Sequence, residues 1–123
     1  MANVELTGIE KLLTEIEQLG LKGNQIENKA LKEAGEVMKE AIVNRAPRRF
    51  GTLQESVKVS GVRTKDGVKH VEVGPGKEGF YGKFLEFGTS KMKAKPFMES
   101  GYESSKAEAM ATIESELKKG LGL

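Results

Sequence analysis

Apolar residues in the first third of the chain recur at helical spacing. Ile9, Leu12, Leu13, Ile16 and Leu19 fall three or four positions apart behind Thr7, with Leu6 just outside as a hydrophobic staple. Gly20 and Gly23 are expected to stop this short amphipathic helix. A second helix is predicted from Asn24, because Glu27 three positions later completes a capping box for the free N–H groups at a helix start. Its apolar face runs through Ile26, Ala30, Leu31, Ala34, Val37, Met38, Ala41 and Ile42. The alanines let a neighbour approach closely, and Pro47 ends the helix because proline disfavours helical backbone in the residue before it.

From Leu53 the period changes. Val57 and Val59 alternate with Ser56, Lys58 and Ser60, and beyond a Lys65-Asp66-Gly67 turn Val71 and Val73 alternate with His70 and Glu72. This is the pattern of a β-hairpin with one buried face. Gly61 breaks the phase between Val59 and Val62, which predicts a bulge. Residues 74–79 form a loop by composition. Residues 80–88 hold most of the aromatic side chains in a run too short to separate helix from strand, read here as a helical turn that pins the loop to the core. A basic loop at 90–95 leads to Pro96, Phe97 and Met98. From Glu99 onward Tyr102, Ala109, Met110, Ile113 and Leu117 predict a final helix, with acids near its start and Lys118 and Lys119 near its end, as its dipole favours. The expected class is therefore α+β: a small antiparallel, hairpin-based sheet packed against a long central helix and a C-terminal helix, with a short N-terminal helix. Residues 1–123 read as one domain, with no internal repeat.

Composition narrows the chemistry. The chain has no cysteine and one histidine, which removes disulfides, thiolate metal sites and most histidine-based catalysis. No run approaches the roughly 18 apolar residues that span a bilayer, and the opening residues are no signal peptide, so synthesis in the cytosol is expected and no membrane partner. Hydrophobic residues make up 37% and charged ones 31%, which suits a thin fold with much exposed surface, or one that completes its core against neighbours. Charge is uneven: net −3 over residues 1–40, +7 over 41–98 and −2 over 99–123.

No motif points to an enzyme. Gly74, Gly76 and Gly79 match the dinucleotide-binding glycine spacing, but Pro75 and a charged loop stand where a helix must open. Gly82-Lys83 is no phosphate loop, since Phe84 stands where a serine or threonine would meet magnesium. Glu86 lies among Phe84, Leu85 and Phe87, where a carboxylate needs hydrogen bonds; the structural reading has it accept from backbone N–H groups or Thr89 and fix the turn at Gly88. His70 is expected to be exposed on the polar side of its strand. No cofactor, metal or catalytic residue is expected. Arg45, Arg48 and Arg49 with Lys91, Lys93 and Lys95 offer charge to phosphates without any means of reading bases.

Two stretches carry a resemblance. Residues 46–57, from Ala46-Pro47 through Gly51-Thr52-Leu53 to Ser56-Val57, and residues 81–98, with Tyr81, Phe84, Glu86, Phe87, Gly88, Thr89, Met92, Ala94, Pro96 and Phe97 in order, resemble the motifs of a minor tail-component family, the tail-completion or head-tail joining proteins of long-tailed bacteriophages. Phe50 stands where that family usually has threonine. The resemblance implies a structural protein of the head-tail neck, non-enzymatic, acting in virion assembly from host cytoplasm or prophage. Its implied partners are other copies of itself in a ring, connector or tail proteins, and non-specific contact with passing DNA. The stretches to carry that assembly role are Pro47, Gly51 and Leu53, and the block from Tyr81 to Phe97 with its lysines 91, 93 and 95. The alternative is a non-sequence-specific nucleic-acid-binding module using the basic middle segment.

Overall fold

The computed structural model describes residues 2–5, 10–46, 51–76, 86–90 and 93–123, with the side chains of 2–5 and 51–52 left aside. The order is β1 (Ala2–Glu5), α1 (Glu10–Glu17), α2 (Leu21–Arg45), α3 (Gly51–Ser56), β2 (Val57–Val59), β3 (Arg63–Lys65), β4 (Val68–Pro75) and α4 (Phe97–Gly120). The class is α+β, as expected. Leu6, Thr7, Ile9, Arg48, Arg49, Phe50 and residues 77–85 lie outside the described residues.

The sheet is antiparallel and centred on β4. One edge of β4 pairs with β1, from Ala2 opposite Val73 to Glu5 opposite His70. The other edge pairs with β2 and β3 in turn. Val59 lies opposite Val73 and Arg63 opposite His70, so four steps on the outer strand meet three on β4, the one-residue excess of a bulge. Ser60 fills the gap. Its N–H donates to the Glu72 carbonyl at 2.8 Å, and its hydroxyl accepts from the Glu72 N–H at 2.9 Å. The break expected at Gly61 is therefore real. Its effect is to bring the charged Arg63 onto the His70 side of the sheet, away from Val71 and Val73. Asp66 and Gly67 turn β3 into β4 with φ of 53° and 78°, the two left-handed residues of a tight I′ hairpin.

α2 lies across the other sheet face, and α4 runs antiparallel beside it. Ile16, Ala30, Leu31, Ala34, Met38, Ile42, Leu53, Val57, Val71, Val73, Phe97, Ala109, Ile113 and Leu117 close one core. Small residues set the spacing of the helix pair. A Cβ on Gly101 would come within 2.8 Å of the Ile42 Cα, and Gly120 sits against the Ile26 side chain near the opposite end. The close approach foreseen from the alanines is thus made by α4.

Several expectations need correction. α2 begins at Leu21, one turn before Asn24, behind Gly20 at φ 62°, so Asn24 and Glu27 are no capping box. They face β4 instead, where the Lys69 ammonium meets Glu27 Oε2 at 2.8 Å, Asn28 Oδ1 at 3.3 Å and Asn24 Oδ1. Those acceptors recur at i, i+3 and i+4, one side of a helix. Gly23 stops nothing; it lies inside α2, where a Cβ would strike the Ile16 carbonyl of α1. Leu53 to Ser56 is helical, the alternation beginning only at Val57. His70 is buried, with Nε2 3.7 Å from Glu72 Oε1, because neighbouring strands flank it on both sides. Leu19 and Met110 are exposed, and Phe97, Gly101 and Ser105 take inward positions of α4. The strand β1 was not anticipated.

Candidate assembly site

The last turn of α2, the helix α3, the turn at Gly88 and the start of α4 converge on one end of the helix pair. Gln54 Nε2 donates to the carbonyls of Val43 at 3.1 Å and Ala46 at 3.3 Å, satisfying acceptors that a helix end leaves open. Arg45 Nε donates to Ser100 Oγ at 2.9 Å, so this arginine ties α2 to α4. Gly51 opens α3, and Leu53, fully buried, anchors it.

Glu86 is the centre of the arrangement. A helix starts with four N–H groups that no helical carbonyl serves. In α4 the N-cap is Pro96, whose side chain accepts nothing. The Phe97 N–H donates to the Lys95 carbonyl and that of Ser100 to the Pro96 carbonyl. The remaining two are taken by Glu86: Oε1 accepts from Met98 N at 2.8 Å and Oε2 from Glu99 N at 3.0 Å. A carboxylate there also meets the positive end of the helix dipole. The expectation that Glu86 accepts backbone N–H groups holds, but its donors open α4; they do not lie in the Gly88 turn.

This bridge ties the Gly88 turn to the start of α4. Glu86 and Phe87 are helical, and Gly88 at φ 76° ends that turn in the left-handed region. Phe87 is 81% exposed. Lys93 and Lys95 are exposed and form no ion pair among the described residues. Thr89 is exposed and engaged with a neighbour, Pro96 is exposed behind a trans bond, and Phe97 is buried beneath it. Pro47, Tyr81, Phe84, Lys91 and Met92 lie outside the described residues.

One surface escaped the sequence reading. On the outward face of α2, Val37 and Val43 floor a shallow depression edged by Glu33, Glu36, Lys39 and Glu40. Val37 had been placed on the core face; it is half-buried at its margin. The signal was available in the three glutamates, which fall at i, i+3 and i+7 and so line one stripe. Among the described residues no cluster of His, Asp or Glu has metal-holding geometry, and no helix is long and apolar enough to cross a membrane.

A family model described as "Bacteriophage HK97-gp10, putative tail-component" matches residues 10–88. The chain belongs to that family. The matched span runs from α1 through the sheet to the Gly88 turn, so it includes Glu86 and Phe87 but not the lysine loop or α4. No curated protein and no solved structure matches the chain. The family is one of phage tail components, which makes the chain's class structural and its place the virion tail; it is not an enzyme family.

Proposed function

We propose that this tail component works at the head-tail neck, where repeated copies complete the tail and join it to the connector. The 1–123 chain acts there as one α+β unit, assembled in the host cytoplasm. The observation that carries this reading is the Glu86 bridge. It spends a carboxylate and two backbone donors to tie the Gly88 turn, with its exposed phenylalanine, to α4, and Lys93 and Lys95 nearby form no ion pair among the described residues. The exposed Phe87 and the two lysines beside it together offer an apolar and a charged group on one side of the turn. Positive charge beside it favours acidic protein surfaces and tolerates DNA passing without selecting a sequence.

The test is complementation. Particles produced without this chain should accumulate filled heads and separate tails, and the wild-type chain should join them. The Phe87→Ala/Lys93→Ala/Lys95→Ala variant, folded by circular dichroism, should not. Joined, infectious particles in the complete absence of the chain would overturn the neck assignment.

A further inference from the structure

We infer that the outward face of α2 receives the Phe87 loop of a second copy of this chain, in a head-to-tail contact. This deepens the assembly reading of the loop and rests on it. The two surfaces carry opposite net charge around apolar groups. One is the exposed Phe87 with Lys93 and Lys95 further along the chain; the other is an open depression of ≈ 380 Å³ with Val37 and Val43 as its floor and Glu33, Glu36, Glu40 and a single cation, Lys39, around it. Within one copy neither side is used. Phe87 stands in solvent, and among the described residues no cation lies within ion-pairing distance of the three glutamates. Burying Phe87 on the two valines removes apolar surface from water, and the lysines meet the glutamates at a rim where opposite charges set orientation more than affinity. Because plug and socket are different patches, the contact is heterologous: repeated, it closes into a ring or runs on as a filament.

The chain contains no cysteine, so two introduced ones report the contact without interference. Phe87→Cys and Val43→Cys chains, purified separately and mixed under mild oxidation, should give a mixed disulfide dimer well above either homodimer. Predominance of the Phe87→Cys homodimer would mean a symmetric contact, and absence of the mixed product would mean none; either overturns the proposal. Charge reversal gives a second readout at exposed positions. In the cysteine backgrounds, Lys93→Glu/Lys95→Glu on the loop chain or Glu36→Lys/Glu40→Lys on the helix chain should each cut mixed product at least about tenfold, since like charges facing each other are strongly unfavourable. Combining the two reversed chains should restore it; failure of that rescue sinks the pairing. Joined particles assembled from chains that never form the 87–43 link would remove this contact and leave the neck assignment standing. The link in a chain that never enters particles would do the opposite.

Discussion

Glu86 works as a helix cap supplied from another segment. Replacing it with alanine strands the Met98 and Glu99 N–H groups and should lower stability by about 1–2 kcal/mol, read as the shift in a urea midpoint at constant m-value. Glutamine, which keeps one acceptor oxygen, should recover part of the loss; equal stability of Glu86→Ala and wild type would show that water serves those donors as well. The need for such a bond was legible in a carboxylate set among aromatic residues. Its partners were not, because the donors lie 12 and 13 positions away and belong to a helix whose own cap is a proline. Lys69 teaches the same lesson. Nothing local to its sequence says that three acceptors on α2 surround its ammonium. Lys69→Met leaves Glu27, 8% exposed, without its cation and should cost about 2–3 kcal/mol, less than a fully buried pair because Lys69 is partly in water. Lys69→Met combined with Glu27→Leu should come back toward wild-type stability, since matched apolar groups need no compensation.

Among elements, α2 and α4 were the most legible because each buries one stripe over many turns, whereas the single turn and a half of α3 was not foreseen. The hairpin followed from strict alternation and the Asp66-Gly67 turn, and the bulge from one glycine out of phase. β1 was missed because four residues carry too little pattern; Ala2–Glu5 acquires meaning only from the open edge of β4. Deleting residues 2–5 should bare that edge, lower the melting temperature and increase aggregation on heating, measured by light scattering. Spacing between α2 and α4 supplies a sharper test. Gly101→Ala gains helix propensity yet pushes a methyl into the Ile42 backbone, so it should destabilise by about 1–3 kcal/mol. Gly120→Ala would come within 2.9 Å of three Ile26 side-chain atoms, two of them on its branched Cβ, so Ile26 must shift; it should destabilise, but less than Gly101→Ala, which strikes backbone. Equal effects at both sites would mean that the helix pair yields along its whole length.

For the molecule as a whole, the proposed assembly surface uses residues that the core does not. Phe87 touches no core, so Phe87→Ala should leave the unfolding free energy within about 0.5 kcal/mol of wild type while sharply reducing association, followed by sedimentation. A large drop in stability would place the ring inside the fold. Raising salt to about 1 M shortens electrostatic reach to roughly 3 Å, so the lysine-glutamate share of association should fade and the apolar share persist. The sign map of the sequence, a basic middle between acidic flanks, was visible from the residues alone. The stripe of acids on α2 follows from their spacing, but that it borders two solvent-facing valines does not, because that depends on which side of α2 the sheet and α4 leave bare.

The pair of hydrogen bonds from Glu86 to the first turn of α4 has a mechanical consequence. On the neck reading proposed above the subunit carries load, and tension on Phe87 would otherwise reach α4 only through the connecting chain. With the carboxylate gripping two successive amides, the tug passes straight into the backbone of a 24-residue rod that is seated along its length on α2. The slack of the loop is thereby taken out of the load path.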